Sequence, residues 1–316
     1  MATPCASSRA LSGADLPDRC LDEAPGAGPT AAEAAALLAA QARGALDPAL
    51  EAKLYAAARE LRRRHFGEGI FLYGFLYAST YCRNDCRFCF YRRSNPESGR
   101  YRKSPTATRA AALRLTEGGV HLIDLTMGED PQLREPGGGE ALARLVSELK
   151  AATGLPLMVS PGVLPRRDLE ALRRAGADWY GLYQETHSRR LFGRLRPGQS
   201  YEERWQAKLV AQQAGLLVEE GVLCGVGESP AQLAGSIEAM RRLDADQVRA
   251  MRFVHQPGVP LRPRRDPDAA TRRECLMIAL MRLAFPDRLI PAPLDVEGLE
   301  GLTRRLQAGP NVETPI

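Results

Sequence analysis

Hydrophobic and polar positions follow two alternating periods along most of this chain. Short apolar runs of strand length recur about eight times, and amphipathic stretches with a helical period separate them. In chain order the apolar runs read IFLYGFLYAST, HLIDLTM, LPLMVS, WYGLYQE, LLVEEGVLCGV, QVRAMRFV, RLIPAPLDV and NVETP. Strand–helix units repeated in this way predict an α/β fold, a (β/α)8 barrel of the TIM type with an N-terminal helical extension.

An open, doubly wound sheet is the alternative architecture for the same pattern. No G-x-G-x-x-G motif follows the first apolar run, which weakens the dinucleotide-binding version of that fold. In a barrel, the chemistry lies at the carboxyl ends of the strands. Side chains that directly follow an apolar run are therefore the first candidates for a site.

The N-terminal part departs from the strand–helix alternation. Residues 1–28 are rich in Pro, Gly, Ser and Ala without periodicity, and we expect a flexible tail there. Residues 29–66 read as two helices that break near ALDP and pack on the barrel. Residues 67–316 are then the barrel domain.

Composition excludes several classes of function. The chain of 316 residues is 44% apolar and 26% charged, and its net charge of +5 includes no basic block, so we expect no nucleic-acid partner. No apolar run approaches the roughly 20 residues of a membrane span. The start, MATPCASSRALSG, lacks the charged and apolar regions of a signal peptide. We therefore expect a cytoplasmic protein.

The chain has seven cysteines, and three of them form a tight group. Cys82, Cys86 and Cys89 lie in STYCRNDCRFCFYRR, directly after the first strand, whereas Cys5 and Cys20 lie in the expected tail. An odd number of cysteines with one cluster indicates a metal site in a reducing compartment. A structural zinc ion normally takes four ligands, whereas a [4Fe–4S] cluster on three thiolates leaves one iron open to a small molecule. A zinc- or cluster-binding module without enzymatic activity is the alternative.

The cysteine motif resembles that of the radical S-adenosylmethionine (SAM) superfamily. That resemblance rests on C-x-x-x-C-x-x-C after the first barrel strand, with the aromatic Phe88 between the second and third cysteines. It implies that the open iron of a [4Fe–4S] cluster binds the amino and carboxylate groups of SAM. An electron, from a donor such as flavodoxin or ferredoxin, then breaks the sulfonium C–S bond. The resulting 5′-deoxyadenosyl radical abstracts a substrate hydrogen.

The same resemblance implies residues that bind SAM. Glu129 follows the second strand in LTMGEDP, and Ser160 ends the third strand in MVSPG. Glu185 ends the fourth strand in YQETH, and Arg204 opens a helix in SYEER. Ser160, Glu185 and Arg204 are expected to hold the methionine and ribose parts, Arg204 through its planar fork. Gly225, in GVLCGVGES, is expected to let the backbone approach the adenine.

Longer stretches narrow the resemblance to one family. The segments FLYASTYCRNDCRFCFY, HLIDLTMGEDP, DQVRAMRFVHQPGVPL and RLIPAPLDVEGLEGLTRRLQAGPNV are similar to the methylornithine synthases of pyrrolysine biosynthesis. The similarity runs from about residue 50 to the end of the sequence. It implies rearrangement of the carbon skeleton of L-lysine to (3R)-3-methyl-D-ornithine, through fragmentation and recombination in one closed cavity.

Lysine as substrate requires acids and a cation inside the barrel, because burying its charges unpaired would cost several kcal/mol each. In LIDLTMG, Asp124 shares a face with Thr126, opposite an apolar face that should meet the helices, so Asp124 should point inward. Asp124, Asp295 and Arg249 match the family's substrate-binding positions. Arg252, on the opposite strand face from Arg249, is the rival cation.

The sequence departs from the family in three places, one of which is the N-terminal tail that matches nothing in it. Pro293 stands where the family carries a serine two residues before its last substrate aspartate, so a hydroxyl contact is lost. The family continues with a C-terminal helical segment, whereas this sequence ends at Ile316. The rival enzymes are biotin synthase and the hydrogenase maturase that resembles it. Biotin synthase needs a second cluster on further barrel cysteines, for which Cys224 and Cys275 are too few.

Overall fold

Parallel strands form the centre of the protein. The computed structural model describes residues 15–24, 26–262, 267–293 and 298–314. Its strands pair in the order β6-β5-β4-β3-β2-β1-β8-β7. Their bounds are β1 Phe71–Ser79, β2 Leu122–Met127, β3 Leu157–Ser160, β4 Trp179–Gly181, β5 Leu217–Cys224, β6 Gln247–Arg252, β7 Pro291–Ala292 and β8 Val312–Glu313.

Two backbone hydrogen bonds close this sheet into a barrel. The N–H of Val248 in β6 donates to the carbonyl of Leu289, just before β7, at 3.1 Å, and the N–H of Leu289 donates to the carbonyl of Asp246 at 3.3 Å. The first and last strands of the sheet are thus joined. The predicted (β/α)8 barrel is confirmed, and the open doubly wound sheet is excluded.

Helices cover the outside of the barrel. Their bounds are α1 Leu16–Leu21, α2 Ala31–Ala42, α3 Pro48–Phe66, α4 Pro105–Glu117, α5 Gly138–Thr153, α6 Arg166–Arg174, α7 Arg189–Leu195, α8 Tyr201–Gln213, α9 Pro230–Leu243, α10 Pro267–Ala284 and α11 Gly298–Leu306. A short 3-10 helix, Pro131–Arg134, precedes α5. None of the described helices is both long enough and apolar enough to cross a membrane.

Serine caps fix where several helices begin, just beyond the mouth of the barrel. The Ser104 and Ser200 side chains accept hydrogen bonds from the backbone N–H three residues later, and Ser229 forms a reciprocal capping box with Gln232. Each cap satisfies a donor that the first helical turn leaves free and is worth about 1 kcal/mol. The caps therefore set the lengths of the loops that carry the site.

Strand register decides which side chains face the lumen. A Cβ at Gly74 would lie 3.1 Å from Leu115 of α4, so Gly74 faces the helices, and its neighbour Phe75 faces the lumen. Asp124 is the register partner of Phe75, and Arg249 that of Gly221. The lumen face comprises Tyr73, Phe75, Leu122, Asp124, Met158, Ser160, Trp179, Gly181, Glu219, Gly221, Gln247 and Arg249.

This register confirms that Asp124 points inward. Its neighbours Ile123 and Leu125 are fully buried in the core between the barrel and the helices. The register also separates the two rival arginines. Arg252 pairs with Cys224, which lies in that outer core, so Arg249 is the cation of the lumen.

The outer core also accounts for two cysteines. Cys224 of β5 and Cys275 of α10 are buried in this apolar layer rather than in the lumen. Burial raises the pKa of the Cys224 thiol well above its usual value, which favours a neutral packing group. The positions of these two thiols therefore give no support to a second cluster inside the barrel.

The expectation of a flexible tail is wrong for part of residues 1–28. Leu16–Leu21 form helix α1, which packs on α3, and Leu16 and Cys20 are buried. Arg19 of the same helix bonds to Glu33 at 2.8 Å. A helix of six residues is too short to show a clear period in a sequence. Residues 1–14, with Cys5, lie outside the described residues.

The two helices expected in residues 29–66 are present as α2 and α3. Thr30 and Glu33 form a capping box at the start of α2, and Asp47 caps α3 directly before Pro48. The break falls at residues 43–47 because proline is tolerated in the first turn of a helix but not in its interior. Helix α2 packs on α9, and α3 packs on α10.

Candidate active site at the barrel mouth

The three clustered cysteines lie in a loop, residues 80–104, that leaves the carboxyl end of β1. This loop has little regular secondary structure, so its carbonyl groups need other donors. The guanidinium of Arg100 donates to the carbonyls of Thr80, Tyr91 and Arg92 at 2.5, 3.0 and 2.6 Å. One arginine thus holds the start and the middle of the loop together.

Burial and neighbouring thiols disfavour the ionised forms of two of the three cysteines. Burial, and after it the nearby Cys86, raise the pKa of Cys89 to about 12. Burial and Cys86 also raise the pKa of Cys82. The thiolate forms of Cys82 and Cys89 are therefore unfavourable here unless a cationic group binds them, as iron does when it displaces the thiol protons.

The arrangement bears on the choice between zinc and an iron–sulfur cluster. Among the described residues, no group of three or more His, Cys, Asp or Glu side chains is placed to hold a single metal ion. A cubane makes a different demand, because each thiolate binds its own iron and the sulfurs need not converge on one point. The donor set fits a [4Fe–4S] cluster and gives no support to a single zinc ion.

Glu129 follows β2 and lies beside the cysteine loop. Its carboxylate accepts hydrogen bonds from Arg204 at 2.9 Å and from Arg83 at 3.0 Å. Burial alone would raise the pKa of Glu129, but Arg204 and Arg83 lower it overall. Glu129 is therefore ionised and holds Arg204 in place. The sequence analysis treated the two residues as independent SAM contacts.

Glu185 follows β4 in a backbone conformation that non-glycine residues seldom adopt. Its φ angle is 66°, and its backbone bonds to Gly221 and Leu223 of β5 at 3.0 Å each hold it there. One carboxylate oxygen accepts from Arg196 at 2.9 Å. The other oxygen is buried and has no hydrogen-bond partner among the residues that the structure describes. That free oxygen fits an ammonium group from a ligand.

A backbone carbonyl brings these mouth residues together. The carbonyl of Tyr183 accepts from Arg196 and from Arg204, each at 2.9 Å. Glu129, Glu185 and Arg204, each predicted from the sequence as a SAM contact, therefore share one hydrogen-bond network. Arg196, in the segment LRPGQS just before α8, belongs to the same network but was not predicted.

The two other predicted SAM contacts, Ser160 and Gly225, bond to residues outside this network. The Ser160 hydroxyl donates to Asp124 at 2.9 Å, because the register of β3 turns Ser160 into the lumen. Gly225 follows β5 with φ 91°, as a close backbone approach requires, but its N–H donates to Glu228 at 2.9 Å. The N–H of Val226 also donates to Glu228, at 2.8 Å, so this carboxylate occupies both amides of the loop.

Inside the lumen, Arg249 pairs with an acid that the sequence analysis missed. Its Nε donates to Glu219 of β5 at 2.8 Å, and the Tyr183 hydroxyl donates to the same carboxylate at 2.6 Å. The Nη2 of Arg249 is buried with no partner among the residues that the structure describes. Strand alternation in LLVEEGVLCGV could have predicted Glu219, because it turns this side chain into the lumen.

Asp124 is the second lumen acid. Burial raises its pKa to about 7, and the charge of Glu219 contributes to that rise. Ser160 stabilises the ionised form through its hydrogen bond. The third predicted substrate residue, Asp295, lies outside the described residues and stays a prediction.

We expect Gly128→Ala to disrupt the cysteine loop. A Cβ at Gly128 would lie 2.4 Å from the carbonyl oxygen of Tyr81 and 2.7 Å from Cβ of Cys82. Either the loop or β2 must shift, so the variant should lose most of its iron after anaerobic reconstitution. Gly99→Ala is the matched control, because its Cβ would have nothing within 4 Å. Equal iron contents in the two variants would contradict this placement of Cys82.

Comparisons with known proteins agree with this geometry. Residues 76–240 match the Radical SAM superfamily. The chain is 42% identical over 264 residues to 3-methylornithine synthase of Methanosarcina acetivorans, a match that covers 84% of this chain and 74% of that protein. The [FeFe] hydrogenase maturase subunit HydE of Thermotoga maritima is 29% identical over 272 residues, covering 85% of this chain and 76% of that one.

Solved structures give the same result. The crystal structure of methylornithine synthase (PylB) superimposes with a TM-score of 0.85 and 39% identity, covering 95% of this chain and 85% of that one. The hydrogenase maturase HydG superimposes with a TM-score of 0.81 but 21% identity, which supports the fold alone. The chain therefore belongs to the radical SAM superfamily and, within it, to the family of the methylornithine synthases.

Proposed function

We propose that this protein rearranges the carbon skeleton of L-lysine to (3R)-3-methyl-D-ornithine. Family membership implies a [4Fe–4S] cluster and SAM as cofactors. When bound, they supply the one-electron chemistry that removes a hydrogen atom from the substrate. The observation that carries the proposal is the buried group of Asp124, Glu219 and Arg249 in the lumen, which complements the charges of free lysine.

The mouth residues have distinct parts in this proposal. Cys82, Cys86 and Cys89 would each bind one iron. The free carboxylate oxygen of Glu185 would accept the ammonium of SAM. Arg204 is buried and held by Glu129, and it would present its charge to the carboxylate of SAM.

The remaining SAM contacts follow from the same loops. Ser160 ends β3 and bonds to Asp124 in the lumen, where it would serve the ribose or the substrate. The Gly225 loop would meet the adenine through its carbonyl groups and apolar atoms, since Glu228 occupies its amides. The electron would come from a small donor protein such as flavodoxin or ferredoxin.

The lumen residues would orient lysine. The free Nη2 of Arg249 would bind the lysine carboxylate, and Asp124 would bind one ammonium. Asp295 would bind the other ammonium. Each of the three charged groups of lysine, two ammoniums and one carboxylate, would then face a group of opposite charge. Such pairing matters because unpaired charges in a buried site are costly.

The floor of the lumen would keep the reacting fragments away from water. Apolar and aromatic side chains fill the barrel below Asp124, namely Tyr73, Leu122, Met158, Trp179 and Val312. A packed floor of this kind leaves the fragments no exit on that side and excludes water that could quench them. Because the two substrate fragments would be confined in the lumen, they would recombine where they form.

The pKa of Asp124 predicts a pH dependence of lysine binding. A carboxyl with a pKa of about 7 becomes neutral as the pH falls below that value, and it then offers no charge to an ammonium. Affinity for lysine should therefore fall up to about tenfold per pH unit below 7. Asp124→Asn should bind lysine more weakly, with little change over the same range. Anaerobic calorimetric titration of SAM-loaded, unreduced protein measures both, and a flat profile for the parent protein would contradict this role.

Turnover tests the proposed function itself. The reconstituted protein, given SAM, reductant and L-lysine, should yield a product of unchanged mass that coelutes with 3-methylornithine. Cys86→Ala should lose the cluster and all SAM cleavage. Arg249→Lys should keep both but lose lysine conversion on the order of 100-fold, because an ammonium cannot bond Glu219 and a carboxylate as a fork does.

The matched control for that substitution is Arg252→Lys. It makes the same change three residues along β6, on the face that points away from the lumen. It should retain most lysine conversion. SAM cleavage by the parent protein without any conversion of lysine would show that the substrate is a different molecule.

A further inference from the structure

One cysteine of the three receives side-chain hydrogen bonds that the others do not. The Sγ of Cys86 accepts from Gln199 Nε2 at 3.0 Å and from Arg196 Nη1 at 3.3 Å. Cys82 accepts a longer bond, 3.5 Å, from the backbone N–H of Asn84. The donors are therefore distributed asymmetrically around the proposed cluster.

The position of Arg196 is fixed from several sides. It directly follows α7, and its own N–H donates to Phe192 at 2.8 Å. The carbonyl before it, that of Leu195, accepts from the N–H of Arg87 at 2.8 Å, which fastens the end of α7 to the cysteine loop. The guanidinium of Arg196 is buried, and its central carbon lies 5.0 Å from the centre of the Phe88 ring. Such a group holds its charge at a fixed distance from the sulfur.

We propose that Arg196 and Gln199 set the reduction potential of the cluster through the thiolate of Cys86. Reduction adds one negative charge to the cluster and its thiolates. Hydrogen bonds to a ligating sulfur and a nearby fixed positive charge stabilise that added charge, and in a buried site the effect is stronger than in water. Both groups therefore raise the potential and make the cluster easier to reduce.

Arg196 also connects this sulfur to the SAM site. Its Nη2 donates to Glu185 at 2.9 Å, so that carboxylate partly neutralises the guanidinium that faces Cys86. A cation bound to the free oxygen of Glu185 would offset the carboxylate charge and leave Arg196 more positive toward the sulfur. The potential should then rise when an ammonium ligand such as that of SAM binds, and by linkage the reduced cluster should favour that ligand.

This inference rests on the three cysteines as cluster ligands under the proposed function, and it does not depend on lysine as the substrate. The test is a potentiometric titration of the reconstituted protein, followed by the electron paramagnetic resonance signal of the reduced cluster. Gln199→Leu should lower the reduction equilibrium constant about tenfold, which is about 59 mV for a one-electron couple. Gln206→Leu, the same change at an exposed position of α8, should leave the potential unchanged.

Arg196→Gln tests the charge and the connection together. It should lower the potential further than Gln199→Leu, and the change in potential on adding SAM should shrink relative to the parent protein. If Gln199→Leu binds a full cluster at the parent potential, the proposal is wrong, whether or not Arg196→Gln folds. Retention of the cluster in Cys86→Ala would instead show that the ligand assignment has failed.

Discussion

Pairing of buried charges is the constraint on which the rest of this structure depends. The barrel encloses several ionised side chains away from bulk water, where an unpaired charge would cost several kcal/mol. Three buried arginines each lie against an acid: Arg249 on Glu219, Arg204 on Glu129, and Arg196 on Glu185. Among the described residues, all three pairs leave buried polar atoms without a partner: Arg204 Nε, Arg196 Nε, Glu185 Oε2 and Arg249 Nη2. Under the proposed function, the last two are the atoms that a cationic and an anionic ligand group would satisfy.

Tyr183 joins the residues at the barrel mouth to those in the lumen. Its carbonyl holds Arg196 and Arg204 at the mouth, and its hydroxyl holds Glu219 in the lumen. The ring fits because residue 221 is glycine, since a Cβ there would lie 3.1 Å from the ring. A single side chain thus fixes the relative position of the two proposed binding regions, which a hydrogen transfer between two bound molecules requires.

Sequence patterns predicted the features that depend on residues close together in the chain. Strand alternation predicted the barrel and the inward direction of Asp124, and the cysteine spacing predicted the loop at the mouth. The flexible tail was a wrong prediction for α1, because a helix of six residues is too short to show a clear hydrophobic period. Glu219 and Arg196 were missed because their importance comes from distant partners. Arg196 meets Cys86 across 110 positions of sequence, a contact that no local pattern indicates.

The central claim is that three thiolates hold a cluster whose fourth iron is open to SAM. Mössbauer spectroscopy of protein reconstituted with ⁵⁷Fe, with and without SAM, tests that claim most directly. We predict that about one quarter of the iron absorption shifts when SAM binds, since only the iron without a cysteine changes its ligands. A spectrum with four equivalent irons that SAM leaves unchanged would contradict the account.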